Sequence, residues 1–260
     1  MRPTVTVQEF VIVIAAKNNN PTLLTPDFLK YTGIVPADWE LARSPIANNR
    51  VAQITFQNGI SIVAETNRVI FLETVHSKDN KSLLIPQIAR KYVETLPNVE
   101  YQGIGLNPRG YVSFDMQDAA RQYFTNTLFS KDSWHEIGDA PVRATANFTY
   151  TLERGQFNLS VNEASLRLPN EKPMPVVLFT GNFSYEVAND NVSERLLRLY
   201  QAIENWQADL ESYCDIVNTK FLSSSNLNTV VSEPELASSV SAISNADLSN
   251  DALVMSASAA

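Results

Sequence analysis

The chain has 260 residues, 44% of them apolar and 18% charged, which suffices for a core and excludes disorder throughout, while a mean hydropathy of −0.14 speaks against a membrane protein. Twenty Lys and Arg against 28 Asp and Glu leave a net charge of −8, so no broad positive field is available for a nucleic-acid backbone. One cysteine cannot close an intramolecular disulfide, and two histidines are too few for a Cys/His metal cluster; no metal or other cofactor is expected, and a cytoplasmic location is.

Val5 to Ala15 reads as an early strand. Its centre, from Phe10 to Ala16, follows a lone Arg2 and an interrupting Glu9 and lacks a small-residue cleavage pair, which favours a buried strand over a targeting segment. A short helix from Pro26 to Tyr31 has Thr25 as its cap and Gly33 as its stop. From Val51 to Gln57 apolar and polar residues alternate, Asn58-Gly59 supplies the positive φ values of a tight hairpin, and Ile60 to Glu65 resumes a strand. Thr66-Asn67-Arg68 turns the chain into Val69 to Glu73, completing an antiparallel meander. Pro86 then opens a helix on which Ile88, Tyr92, Val93 and Leu96 recur at helical spacing before Pro97-Asn98 ends it.

Val99 to Leu106 reads as a further strand and Asn107-Pro108-Arg109-Gly110 as a turn that could offer Arg109 to an anion. Asp115 caps a helix from Met116 to Phe129 whose stripe is Ala120, Tyr123, Phe124 and Leu128. Val142 to Glu153 and Gln156 to Leu166 form a second hairpin about Arg154-Gly155. Val176 to Val187 adds a strand, and a long helix starts at Asn191, with Glu194 in capping-box spacing, and runs without Gly or Pro to Phe221.

Three strands followed by a helix, twice, predict an α+β fold of two β-β-β-α units with antiparallel sheets and a long C-terminal helix on the second. The expected divisions are an N-terminal α+β unit over 1–140, a meander with the long helix over 141–222, and a disordered tail over 223–260. The tail holds no Lys, Arg, Gly or aromatic residue, and its acids Glu233, Glu235, Asp247 and Asp251 carry half of the net charge. Ser232-Glu233-Pro234-Glu235 within it has the form of a helix start, too short to persist in isolation.

On the long helix, Leu196, Leu199, Ile203, Trp206, Leu210, Tyr213 and Val217 advance by alternate steps of three and four, as a coiled-coil seam does. Leu197, Tyr200, Cys214 and Ile216 widen the stripe towards a face buried on the protein's own sheet. Leu199, Trp206, Leu210 and Tyr213 are therefore the candidate interaction seam if part of the stripe stays uncovered, with a homodimer as the partner this implies.

No catalytic pattern emerges. Cys214 lies mid-helix among apolar neighbours, away from anything that would lower its pKa. His76 falls in a polar turn. His135 has Asp132 and Asp139 near it in sequence, and adjacency does not make a site. Gly103-Ile104-Gly105 lacks the third glycine of a dinucleotide fingerprint, and Asp115 with Asp118 suits helix capping better than metal binding.

Leu24-Thr25-Pro26-Asp27-Phe28-Leu29, Ile34-Val35-Pro36-Ala37-Asp38-Trp39-Glu40-Leu41 and Ile85-Pro86-Gln87-Ile88-Ala89-Arg90-Lys91-Tyr92-Val93 resemble segments of uncharacterised conserved bacterial proteins, a resemblance that implies no activity. The sheet-plus-helix layout of the body is also similar to SecB-type chaperones and related binding modules, with no binding position carried over. The expected function is therefore non-enzymatic: protein–protein interaction, assembly or chaperone-like adaptor work, with a protein partner or self-association and neither nucleic acid nor membrane. An enzyme or small-molecule site assembled around His135, Arg109 and Glu100 is the alternative.

Overall fold

The computed structural model describes residues 3–75, 82–114, 117–129, 137, 139, 142–166, 173–189 and 191–223. Its strands are β1 (Thr6–Lys17), β2 (Ile46–Ala47), β3 (Val51–Thr55), β4 (Ile60–Glu65), β5 (Arg68–Thr74), β6 (Glu100–Ser113), β7 (Thr145–Leu152), β8 (Gly155–Leu166) and β9 (Met174–Glu186). Its helices are α1 (Pro26–Tyr31), α2 (Ile85–Thr95), α3 (Gln117–Tyr123), α4 (Val192–Glu204) and α5 (Trp206–Ile216). A wider turn extends α3 over Phe124–Leu128, and another extends α5 over Val217–Phe221.

All nine strands belong to one sheet in the order β2-β3-β4-β5-β1-β6-β9-β8-β7, and every neighbouring pair is antiparallel. This corrects the expectation of separate sheets. β1 and β6 are central neighbours, and each carries a meander on its outer side. The cause lies in β1, whose Phe10, Ile12 and Ile14 are fully buried at about 1.5–3 kcal/mol each. A strand so apolar needs partners along both edges and cover on one face.

That cover is helical. α2 lies on β1 and β5, α3 on β9, and α4 and α5 on β6, while Phe28 of α1 meets Tyr92 of α2 edge-on at 6.4 Å. The opposite face carries no helix among the described residues. Because side chains alternate across a strand, Phe157, Leu159 and Val161 of β8 enter the core while Asn158, Ser160 and Asn162 do not.

Local signals work where the sequence suggests them. Thr25 Oγ1 accepts the Phe28 amide at 3.1 Å and Gly33 takes φ 69°, while Asn191 Oδ1 accepts the amides of Ser193 and Glu194. At Asn58-Gly59 only Gly59 has positive φ. The Gly59 amide bonds to Phe56 and the Phe56 amide to Ile60, so the loop is a three-residue turn with a bulge instead of the tight two-residue form.

Three expectations change. Asn107-Pro108-Arg109-Gly110 is no turn but the middle of β6. Asn107 Nδ2 donates to Val11 across the strand boundary, and Arg109 meets Glu9 at 3.1 Å. The long helix divides at Asn205, which leaves helical geometry at φ −77° and ψ 2°. Leu199, Leu210 and Tyr213 are buried in the protein's own core, and Trp206 is half-buried against Phe10 at 5.9 Å.

Two glycines seat α5 on the sheet. The Tyr213 ring covers Gly181, where an added Cβ would lie 2.9 Å from Tyr213 Cδ2, and its hydroxyl lies 2.9 Å from the corresponding position at Gly110. That hydroxyl donates to the Phe179 carbonyl at 2.8 Å. α2 is fixed in another way: its first residues offer no side-chain cap of their own, and the buried Glu73 of β5 accepts the Leu84 and Ile85 amides at 2.7 and 3.0 Å.

Candidate functional site

β7 forms one border of the sheet. Thr145–Leu152 alternates cleanly, with Ala146, Phe148, Tyr150 and Leu152 directed inward and Thr145, Asn147, Thr149 and Thr151 exposed. Phe148 meets Phe221 edge-on at 5.1 Å, and Tyr150 stacks on Phe157 at 6.1 Å. Aromatic burial therefore sets which face of β7 is inward, since a one-residue slip would expose both rings.

Every residue of β7 is in register with β8, from Thr145 opposite Asn162 to Leu152 opposite Gly155. A two-residue loop closes a hairpin through a mutually bonded pair, here Leu152 and Gly155. Bonding alternates from there, so the even-numbered residues bond to β8 and the odd-numbered ones turn N–H and C=O outward. Among the described residues no strand pairs with that outer side.

Such an edge is ordinarily blunted by brevity, lysine or proline. β2, at the other border, is two residues long and offers little. β7 has eight residues and no charged residue, proline or glycine. The exposed Arg143 and Glu153 stand just outside its two ends.

The turn beside this edge is pinned. Arg154 Nη2 lies 2.7 Å from Asp209 Oδ1, and the Tyr185 hydroxyl donates to Asp209 Oδ2 at 2.5 Å. The Asp209 side chain is 1% exposed. Burial raises its pKa, and the Tyr185 hydroxyl and Arg154 oppose that shift; burial and the adjacent carboxylate raise the Tyr185 phenol. The triad joins α5, β9 and the β7–β8 loop, so it holds the edge in place and offers no accessible nucleophile.

The other candidates separate. Arg109 and Glu100 are both on β6, nine residues apart and so about 30 Å along an extended strand. Each has its own partner: Glu9 for Arg109 and Lys17 for Glu100. Burial pushes the Glu9 carboxyl up, against the pull of Arg109. Cys214 is half-buried, and burial with Glu211 lifts its thiol to about 11, the reverse of nucleophile activation. His76, His135, Asp115 and the tail helix start lie outside the described residues. Among the described residues no three His, Cys, Asp or Glu side chains group as metal ligands, and no helix is long and apolar enough to cross a membrane.

Of the seam residues, Leu199, Leu210 and Tyr213 are buried against the protein's own sheet and Trp206 is half-buried. The free edge was readable only in part. An uncharged alternating strand is visible in the sequence, whereas its position at the border depends on which strands β1 and β6 recruit. No protein-family model, curated protein or solved structure matches the chain.

Proposed function

We propose that this chain is a non-enzymatic protein-binding module, an assembly subunit or chaperone-like adaptor, that docks a partner by accepting an additional strand along β7. The observation that carries the reading is an eight-residue border strand with outward backbone groups and no charge, proline or glycine to discourage pairing. Main-chain hydrogen bonds would supply affinity and the alternate Thr and Asn side chains selectivity. The Arg154–Asp209–Tyr185 triad supports this role, because a rigid edge loses little conformational freedom when it is paired.

In this reading the body consists of two β-β-β-α units joined through β1 and β6, so that the two meanders end at opposite borders and only the β7 border is long enough to dock. The acidic tail keeps a protein with an open edge soluble in the cytoplasm. The test is cross-linking of the full chain in native lysate, followed by mapping of the linked residues. Cross-links clustered at 143–154 and lost on Thr149→Pro are expected. Partners that attach elsewhere, or that bind the proline variant equally, would refute the function.

A further inference from the structure

The outward side of β7 is complementary to itself. Consider two copies meeting edge to edge, antiparallel, about a two-fold axis at Phe148. Thr145 of one copy then faces the second copy's Thr151, and Asn147 faces its Thr149. These four odd-numbered residues are the ones whose backbone groups turn outward, so the four pairs they form close about eight hydrogen bonds. On the helix-covered face Ala146 meets Tyr150 and Phe148 meets Phe148, which extends the aromatic row formed by the half-buried Phe148 and Tyr150 and the buried Phe157. Just beyond the strand ends, Arg143 of each copy comes opposite Glu153 of the other. Both are exposed, and neither has a charged partner among the described residues.

Register and charge thus agree. Shifting the axis by half a residue would place inward side chains opposite outward ones, and shifting it by one residue would face Thr145 with Glu153 and leave Arg143 without its carboxylate. We infer that the chain forms a symmetric homodimer in which β7 pairs with β7 about Phe148, continuing the nine-stranded sheet into one of eighteen strands. This rests on the edge-docking reading above and names its occupant as a second copy.

Sedimentation velocity of the full chain across the micromolar range provides the test. The wild type should sediment as a dimer. Thr149→Pro removes an outward N–H and no backbone bond to β8, only the exposed side-chain bond from the Thr149 hydroxyl to Asn158 Oδ1, so this variant should be a monomer with an unchanged circular dichroism spectrum. Arg143→Glu sets two Glu–Glu pairs across the axis and should weaken dimerisation by about tenfold. The double reversal Arg143→Glu/Glu153→Arg should restore it. Phe148→Cys should oxidise to a covalent dimer, because this residue alone meets itself, in a non-bonded pair whose Cα atoms are about 4.5 Å apart.

A wild type that is monomeric throughout overturns the inference, as does a dimer that persists in Thr149→Pro or a double reversal that fails to restore pairing. A monomeric wild type that still captures a partner through residues 143–154 removes self-pairing alone. Capture that is indifferent to Thr149→Pro removes the docking function itself.

Discussion

Replacing Gly181 by alanine tests how α5 is held on the sheet. The new methyl would lie 2.9 Å from Tyr213 Cδ2 and 3.1 Å from both Phe157 Cε2 and Pro108 Cγ. Phe157 and Tyr213 are fully buried, so none of the three neighbours can swing into solvent. Overpacking of this kind costs about 1–3 kcal/mol, against the roughly 0.5–1 kcal/mol that alanine gains over glycine within a strand. The expected net loss of about 1–2 kcal/mol corresponds to a fall in Tm of roughly 2–8 °C for a chain of this size. Urea unfolding followed by tryptophan fluorescence suits the measurement, because Trp206 sits on α5 against Phe10. The second half of the test removes the ring. In a Tyr213→Ala background, itself about 3–5 kcal/mol less stable, the alanine methyl occupies vacated space and Gly181→Ala should be neutral or stabilising. A double-mutant cycle should therefore give a coupling of at least about 1 kcal/mol. Equal costs in both backgrounds, or a single variant within about 0.5 kcal/mol of wild type, would refute the seating of Tyr213 between Gly110 and Gly181.

Glu73→Ala should destabilise the protein by about 1–3 kcal/mol, since it strips two amides at the start of α2, that of Ile85 buried and that of Leu84 partly so, of their acceptor; Glu73→Gln, which keeps a carbonyl oxygen, should cost less, and chemical denaturation that ranks the two the other way would exclude a capping role. Stability should also fall at alkaline pH. Burial raises Cys214 from 9.0 to about 11 and Tyr92 from 10.0 to about 12, and it raises Tyr101, Tyr123 and Tyr213 as well. The unfolded chain releases these protons first, so their contribution is complete below about pH 9 and is lost as pH rises from there towards 12, at up to about 1.4 kcal/mol per group and pH unit. Phenolate absorbance should appear together with the loss of circular dichroism; smooth titration of all the phenols near pH 10 in a folded protein would contradict their burial.

The order and kind of most elements were legible in the sequence, because their causes are local. Turn residues, caps and hydrophobic period act within a few positions, and Thr25, Gly59 and Asn191 do what their types suggest. Where the sequence misled, a distant partner had overridden a local preference. Asn107-Pro108-Arg109-Gly110 has the composition of a turn, yet it is straightened within β6: Asn107 bonds to Val11, Glu9 meets the charge of Arg109, and the missing side chain of Gly110 makes room for the Tyr213 hydroxyl. Nothing near Glu73 in the sequence marks it as the cap of a helix that begins at Ile85.

The heptad-like seam shows the same division. Its period required a buried face, but period alone does not distinguish a second helix from the protein's own sheet; the slot above Gly181 decided that. The candidate edge is further still from sequence. The residues of β7 establish by themselves an uncharged alternating strand with one apolar side. That this strand lies at the border, with no strand among the described residues on its outer side, depends on the central pairing of β1 with β6. Such pairing joins segments about a hundred residues apart, and it is set by burial and hydrogen bonding over the whole sheet, not by any neighbourhood along the chain.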